Sequence, residues 1–341
     1  MYVFNALVST AVFMVSEFQF IDNLRAKYSL DKIGDDCAVL PKDADTDLLL
    51  TADMLIEDID FRLEWTTPEF LGHKALAVSL SDIAAMGGTP QWSLLSIGIP
   101  EKLWKTDFLD GFYGGWHSHA KRSRVELVGG DISRTTDKLV IDSIVGGQVS
   151  KGNAILRSGA IEGDAIVVTD HVGGAAAGLK LLENGWRLGP DLESWEEVLL
   201  SIHLQPWSQT GTGIYLETHK LAHAMIDISD GLVSDLKHIC KASNVGAKLY
   251  ADKIPLNLNL HNLYESFDDQ LELALNGGED FQLLFTLPKE KIPELSSNMI
   301  GGNDYGVFRV IGEITSNTEV IELFRDGKSE VLQSKGYKHF G

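Results

Sequence analysis

Acidic residues recur in this sequence after apolar segments, and several of them stand next to glycine or serine. Asp53 follows the apolar residues 48–52, and Asp131 follows Gly129 and Gly130. The complete set is Asp35, Asp36, Asp53, Asp131, Asp227, Asp230, Glu279 and Asp280. One such residue alone is usually a turn former or a helix cap. Because ligands collect at strand ends and adjoining helix starts in open α/β sheets, the repetition predicts a shared binding site.

Asp82 belongs to the clearest predicted helix, residues 68–86. Leu71, Ala75 and Val78 precede it at helical spacing, so Asp82 lies on the apolar stripe of this helix. It also lies in the last turn, where the helix dipole disfavours a negative charge. A partly buried carboxylate at this helix end needs a cation. That cation is either a nearby lysine or arginine side chain or a bound metal ion.

The chemistry of the donor atoms indicates which metal would fit. Carboxylates and the hydroxyls of Thr51 and Ser229, without cysteine or clustered histidine, suit Mg²⁺ better than zinc or copper. Mg²⁺ held by a few carboxylates usually completes its coordination with water and substrate phosphates. The sequence therefore predicts a metal-dependent phosphate site, at which Arg157 offers a fixed cation.

Other catalytic and nucleotide-binding signatures are absent from the sequence. There is no GxxxxGK[ST] motif, and Gly211-Thr212-Gly213 lacks the third glycine of a dinucleotide fingerprint, since Leu216 stands there. His117 and His119 are two residues apart and do not share a helix face, so we expect a solvated helix end rather than a metal pair. No Ser-His-Asp or Cys-His arrangement has a recognisable local frame.

Composition limits the class of partner. The 341 residues predict about two domains, and 29 basic against 49 acidic residues give a net charge of −20. This charge argues against nucleic acid or an anionic membrane as the main partner. Two cysteines support neither a disulfide framework nor a cysteine-based zinc site, and we expect a cytoplasmic protein. Residues 1–15 are mostly apolar without a basic segment and are expected to be a loosely docked or untranslated extension, with Met14 as the actual start.

The elements that must position these residues alternate between strands and helices. Thr67 and Pro68 predict the start of the 68–86 helix, and Thr66 and Glu69 have capping-box spacing. Predicted strands cover residues 36–40, 47–52, 125–128, 139–145, 165–169, 225–228, 281–287 and 307–315. Further helices are predicted at 102–121, 174–183, from Leu232 onwards and at 289–298, with a hairpin turn at Asp326-Gly327. The alternation of strands and helices is interrupted at residues 148–153, which predicts a domain boundary there.

Nine segments in order resemble one family of enzymes. They are IGDDCAVL (33–40), TADMLIEDIDF (51–61), HKALAVSLSDIAAMGGTP (73–90), LVGGD (127–131), LRSGA (156–160), GDAIVVTDHVGGAAAGL (163–179), IDISDGLVSDL (226–236), GGEDFQLLFT (277–286) and KGYKHF (335–340). Each alone is a weak signal, but their order is highly specific. Together they are similar to the thiamine-monophosphate kinase family, in the superfamily of aminoimidazole-ribotide synthetase and selenophosphate synthetase.

The resemblance implies a two-domain α/β (α+β) fold like that of aminoimidazole-ribotide synthetase. Residues 16–150 would form an ATP- and Mg²⁺-binding domain that contributes to the β-barrel of a homodimer, and residues 151–341 a domain that closes over nucleotide and substrate. The implied reaction is the ATP- and Mg²⁺-dependent phosphorylation of thiamine monophosphate to thiamine diphosphate.

The resemblance also implies site residues by position. The implied Mg²⁺ ligands are Asp36, Thr51, Asp53, Asp82, Asp131, Asp227 and Asp230. The implied ATP contacts are Tyr113, Gly130, Asp131, Arg157 and Ser229. The implied thiamine-binding residues are Glu279, a hydrogen-bond acceptor for the aminopyrimidine, and Tyr337, a flat face for the ring. No catalytic base is implied, and Arg157 would stabilise charge.

The sequence departs from the family pattern at two positions, and alternatives stay open. Ala52 stands where the family has a metal-binding threonine, and Asp60 where it has a substrate-contacting histidine, which puts phosphate affinity in question. A selenophosphate-synthetase relative would need a reactive N-terminal cysteine, and a hydrogenase-maturation relative a C-terminal one; the buried-strand position of Cys37 and the ending at Gly341 argue against both. A non-catalytic protein that binds a divalent cation or a nucleotide is the alternative from another class.

Overall fold

The computed structural model describes residues 17–297 and 308–337. The expected extension, residues 1–15, lies outside these ranges. So do Asn298, at the end of a predicted helix, and residues 338–340 of the last family segment.

A five-stranded sheet forms the first half of the described chain. Its strands are β1 (Ala38–Pro41), β2 (Thr46–Ile56), β3 (Thr89–Pro100), β4 (Glu126–Thr135) and β5 (Val140–Ser150). They lie in the order β1-β2-β5-β3-β4. The first four strands in this order are antiparallel neighbours, whereas β4 runs parallel to β3. β4 is therefore an edge strand of the sheet.

The helices of this half are α1 (Glu17–Tyr28), α2 (Pro68–Ala85), α3 (Glu101–Trp104) and α4 (Phe108–Ser123). α2 packs between the sheet and α4, which explains why nearly all of its side chains are buried. The two helices approach closely at Gly72, where a Cβ would stand 1.9 Å from the carbonyl oxygen of Phe112. Phe112 and Trp116 of α4 complete this core.

A seven-stranded mixed sheet forms the second half. Its strands are β6 (Ala165–Thr169), β7 (Ala224–Asp227), β8 (Gly246–Tyr250), β9 (Leu283–Leu287), β10 (Phe308–Thr315), β11 (Ile321–Arg325) and β12 (Lys328–Val331). They lie in the order β12-β11-β8-β10-β6-β9-β7. Ala84 and Ala85 of α2 pack into the core of this half with Val167 and Phe285. The C-terminal end of α2 is thereby held close to the second sheet.

The helices of the second half cover both faces of its sheet. They are α5 (Gly174–Glu183), α6 (Ser194–Leu204), α7 (Thr210–Thr218), α8 (Leu232–Ser243), α9 (Leu260–Leu263), α10 (Phe267–Asn276) and α11 (Ile292–Ser297), with 3₁₀ turns at Ala251–Lys253 and Lys289–Lys291. No helix within the described ranges has the length and apolar character needed to cross a membrane.

The predicted strand ends at Asp53 and Asp131 are wrong. β2 pairs with β5 from Thr46 to Ile56, so Asp53 lies within the strand. β4 likewise continues to Thr135 alongside β3, which places Asp131 in its middle. In both cases, pairing with a neighbouring strand outweighs the local preference of aspartate for a turn.

Most of the other helices and strands predicted from the sequence are present in the structure. β6, α5 and the hairpin turn between β11 and β12 confirm the predictions. The single helix predicted at 102–121 is wrong, because a turn at Thr106 and Asp107 divides it into α3 and α4. The Thr106 hydroxyl there accepts a hydrogen bond from the Phe108 N–H at 3.2 Å.

The N-terminus of α2 provides a first testable prediction. Thr67 is the cap, because its Oγ1 accepts from the Phe70 N–H at 3.3 Å, whereas the Thr66 hydroxyl bonds only the Thr67 carbonyl. We expect Thr67→Ala to lower the free energy of unfolding by about 1 kcal/mol and Thr66→Ala to lower it by clearly less. Thermal unfolding of the two variants checks this, and equal losses would contradict the assignment of the cap.

Candidate active site

Three aspartates from both halves of the chain meet at the C-terminal end of α2. Asp36 precedes β1, Asp82 lies in the last turn of α2, and Asp227 ends β7. One carboxylate oxygen from each lies within 4.8 Å of the others. Asp36 and Asp227 are buried and Asp82 is half-buried. We call these three residues the aspartate cluster.

Two hydroxyls orient the aspartate cluster. Thr51, on β2, donates a hydrogen bond to Asp82. Ser81 donates to Asp227 at 2.6 Å and joins two segments that are 146 residues apart in sequence. Ser81 was not predicted from the sequence. Its position next to Asp82, in the last turns of the predicted helix, is the signal that could have suggested it.

The carboxylates of the aspartate cluster resist carrying charge together. Burial, and then the charge of Asp36, raise the pKa of Asp227 to about 7. Burial and Asp53, followed by Asp227, raise the pKa of Asp82 well above its usual range. Burial raises the pKa of Asp53 to about 6, against an opposing contribution from the nearby hydroxyl of Ser79. A divalent cation among these groups would remove the repulsion and favour their ionised forms.

Two buried carboxylate oxygens at this place lack a partner. Within the described residues, no group hydrogen-bonds Asp36 Oδ2 or Asp53 Oδ2. Buried polar atoms are nearly always satisfied in proteins, so orphaned oxygens indicate a missing ligand. Hard oxygen donors without thiolate or imidazole fit Mg²⁺.

Arg157 is tied to the aspartate cluster. Its Nη2 and Nε donate to Asp36 Oδ1 at 2.5 and 3.2 Å, and its backbone N–H donates to the Asp35 carboxylate at 3.1 Å. The Arg157 side chain keeps a fifth of its surface exposed, whereas that of Asp36 is almost fully buried. Arg157 is therefore a fixed cation at the rim of the cluster, and Asp35 holds the backbone that carries it.

The loop after β7 is built around Asp235, which was not predicted from the sequence. Its buried carboxylate accepts from the backbone N–H groups of Ser229, Asp230 and Gly231 at 3.0–3.2 Å. Asp230 also has a carboxylate oxygen within 4.8 Å of ligand atoms of Asp235 and His238, in a group separate from the aspartate cluster. An acidic residue in the first turn of a helix that follows glycine is the signal that could have revealed Asp235.

Three of the predicted nucleotide contacts lie elsewhere in the single chain. Gly130 and Asp131 are on β4, where all residues but the last are exposed. Tyr113 lies half-buried on α4, with its ring edge-on to Phe112 at a centroid distance of 5.7 Å. The structure brings together Asp36, Thr51, Asp53, Asp82, Asp227 and Arg157 of the predicted site.

The three residues of the predicted substrate site, Asp60, Glu279 and Tyr337, are close enough to influence one another electrostatically. Burial raises the pKa of the half-exposed Tyr337, and the charges of Asp60, Glu279 and Asp230 raise it further. The Tyr337 N–H donates to the Asp230 carbonyl at 3.2 Å. Glu279 Oε1 lies 2.7 Å from the buried ammonium group of Lys74.

The histidine pair is placed differently from the prediction. His117 is exposed as expected, but the expectation of a solvated site is wrong for His119, which is buried. The His119 ring stacks on His73 with centroids 3.9 Å apart. Burial and His73 lower the pKa of His119 to about 3, so this side chain is a neutral core residue near pH 7.

Comparison with known proteins identifies the class of this fold. Residues 34–149 match the model of the AIR synthase related protein, N-terminal domain, and residues 162–323 match that of the C-terminal domain. The two halves of the fold are thus those of an AIR synthase related protein.

Individual relatives show to which family within this class the chain belongs. Thiamine-monophosphate kinase of Bacillus subtilis is 36% identical over 310 residues, 90% of this chain and 93% of that protein. The enzyme of Aquifex aeolicus is 35% identical over 96% of this chain and 98% of its own. A solved structure of AaThiL complexed with AMPPCP and TMP is 34% identical, with a TM-score of 0.82 over 95% of this chain and 97% of that one. The chain belongs to the thiamine-monophosphate kinase family.

Proposed function

We propose that this protein transfers the γ-phosphoryl group of ATP to the phosphate of thiamine monophosphate, giving thiamine diphosphate and ADP. The observation that carries this proposal is the aspartate cluster, in which Asp36, Asp82 and Asp227 converge beside Arg157 in a chain of this family. The related complex with AMPPCP and TMP supports ATP as donor and thiamine monophosphate as acceptor.

The acceptor needs no catalytic base from the protein. A phosphate monoester has a second pKa of about 6 and is already anionic near pH 7. The work left to the protein is to align the two phosphates and to neutralise their charge. Arg157 places a cation at the rim of the aspartate cluster, and its pairing with Asp36 fixes the direction of the guanidinium. Bound Mg²⁺ would supply the remaining neutralisation of phosphate charge.

We propose Asp36, Thr51, Asp53, Asp82 and Asp227 as the groups that hold Mg²⁺. The orphaned oxygens of Asp36 and Asp53 and the mutual repulsion of the carboxylates support this assignment. Asp230, whose carbonyl accepts from the Tyr337 N–H, would bind Mg²⁺ from the substrate side of the site. Ser229, in the same loop, would contact the nucleotide. The protein is expected to work in the cytoplasm, where ATP is available.

A homodimer formed through β4 would complete the remaining contacts. This edge strand exposes three apolar side chains, Leu127, Val128 and Ile132. Exposed edges of this kind invite pairing with another strand and are usually covered in native proteins. Gly130 and Asp131 lie on the same strand, so a second copy would define their surroundings. We therefore propose that the nucleotide contacts of Gly130 and Asp131 depend on the dimer.

Asp60 leads to a prediction about the affinity of the protein for the substrate phosphate. Its carboxylate accepts from the Ile56 N–H at 2.8 Å, and an ionised carboxylate can only repel a phosphate dianion. We expect Asp60→His to lower the KM for thiamine monophosphate by about tenfold and to change kcat little, because the gained contact is uniform binding. Steady-state kinetics with a fixed concentration of ATP checks this.

Asp60→Asn is the matched control for that variant. It keeps an acceptor for the Ile56 N–H and removes the charge, so its KM should fall between those of the wild type and Asp60→His. Loss of turnover in Asp60→His would mean that Asp60 has a direct role in catalysis or in holding metal.

The proposed acceptor is tested by ADP formation with thiamine monophosphate, with thiamine and with no acceptor. We expect rapid ADP formation with thiamine monophosphate alone. Equal rates in all three reactions would refute the kinase assignment. If no ADP forms but calorimetry shows that an ATP analogue binds with Mg²⁺, the protein is instead the non-catalytic nucleotide-binding alternative.

A further inference from the structure

Lys74 is a buried cation on α2 that the reaction described above does not use. It is 3% exposed, its Nζ lies 2.7 Å from Glu279 Oε1, and Nζ also donates to the His203 carbonyl at 3.3 Å. A lysine buried without a partner would lose its charge. Lys74 can keep its charge at this buried position because it faces the Glu279 carboxylate, which belongs to the other half of the chain.

The groups around Glu279 define its charge. His203 Nδ1 lies 3.2 Å from Glu279 Oε2, but burial and then Lys74 lower the pKa of His203 to about 4, so the ring is neutral near pH 7. Asp280 and Tyr337 also face Glu279, and neither brings a positive charge. Within the part of the chain that the structure describes, Lys74 is therefore the cation beside Glu279 that compensates its charge.

The Glu279 backbone is also held in a special conformation. Its φ of +67° lies in the left-handed region, which side chains other than glycine rarely adopt. The Glu279 N–H donates to the Ser229 carbonyl at 2.8 Å, which ties this segment to the loop after β7. Oε1 of Glu279 is paired with Lys74, and 30% of the side chain is exposed. The carboxylate lone pairs that Lys74 does not contact are therefore available to a ligand from one side only.

We propose that Lys74 is a positioning residue that keeps Glu279 ionised and aimed at the aminopyrimidine of the substrate, so that Lys74 sets specificity for the thiamine moiety. This inference rests on the proposed function. An ionised carboxylate only accepts hydrogen bonds and so selects a ring that donates them, whereas a protonated one also presents a donor. Burial alone would raise the pKa of Glu279, but its neighbours, above all the ammonium group of Lys74, lower that pKa below the usual range.

The kinetic test compares Lys74→Met, which keeps the length of the side chain, with Lys74→Arg, which keeps its charge. In Lys74→Met we expect the KM for thiamine monophosphate to rise at least about tenfold, with kcat within about twofold and the KM for ATP unchanged. The arginine variant should recover most of this loss. A changed kcat with an unchanged KM would overturn the proposal.

The pH profile separates positioning from a merely structural role. Without Lys74 the pKa of Glu279 rises, so Glu279 takes up a proton at a higher pH than in the wild type. The loss of kcat/KM in Lys74→Met should therefore grow as the pH falls from 8 to 5.5. A loss that is constant over this range would show that Lys74 only supports packing.

A double-mutant cycle tests the pair without relying on activity. Glu279→Gln removes the charge that Lys74→Met leaves buried and uncompensated, so the double variant should melt at a higher temperature than Lys74→Met alone. Its KM should equal that of Glu279→Gln. Additive losses in melting temperature would overturn the inference. If the wild type makes no thiamine diphosphate, the proposed function fails, while the melting temperatures still decide whether Lys74 compensates Glu279.

Discussion

Asp82→Asn is expected to lower the rate of thiamine diphosphate formation at least about 100-fold, while the metal-free protein melts at the same or a slightly higher temperature. Asp82 is placed by α2 between Thr51 and the other aspartates of the cluster, where it can bind metal. The same carboxylate lies at the unfavourable end of the helix dipole, and burial and Asp53 raise its pKa. Asparagine therefore removes a metal ligand and relieves a repulsion at once.

Thermal unfolding in EDTA and initial rates in Mg²⁺ measure the two halves of this prediction. Asp191→Asn, at an exposed position, is a matched control that should change neither quantity. A variant that loses stability but keeps its activity would show that Asp82 serves a structural contact.

Arg157→Met is expected to lower the free energy of unfolding of the metal-free protein by about 3 kcal/mol. Removing the guanidinium leaves Asp36 buried beside Asp82 and Asp227 without a compensating cation. With saturating Mg²⁺ the loss should be smaller, because bound metal would compensate the same carboxylate. Activity should fall as well, since Arg157 also neutralises phosphate charge in the proposed reaction.

Calorimetric melting of the Arg157 variant with EDTA and with Mg²⁺ tests this expectation. Arg325→Met is the control, because Arg325 pairs with Asp268 on the surface and such pairs contribute only about 0–1 kcal/mol. An equal loss for Arg157→Met with and without Mg²⁺ would contradict the placement of the metal beside Asp36.

The position of Asp82 is the part of the site that the sequence predicted best, because it follows from the short-range periodicity of one helix. Helical spacing placed Asp82 on an apolar stripe near the end of α2. The structure buries this helix on nearly all sides, leaves Asp82 half-buried and puts its carboxylate beside Asp36 and Asp227. The same local reasoning failed for Asp53 and Asp131, because the extent of a strand depends on the neighbour with which it pairs. His119 was misplaced for a related reason, since its burial depends on His73 of another helix.

Contacts between distant segments could not be predicted from local patterns. Ser81 and Asp227 are 146 residues apart, and Arg157 and Asp36 are 121 apart. No local periodicity couples such positions, so the pairing of Arg157 with Asp36 appears only once both halves are folded. The roles of Glu279 and Tyr337 came from the family resemblance, while the burial of Lys74 against Glu279 came from the structure alone.

The most direct test of the central claim is the product formed from ATP and thiamine monophosphate by the purified protein, separated by chromatography. With Mg²⁺ we expect thiamine diphosphate and ADP in equal amounts, and with excess EDTA neither product. ADP formed without thiamine diphosphate, or thiamine diphosphate formed equally well in EDTA, would contradict metal-assisted transfer between the two phosphates.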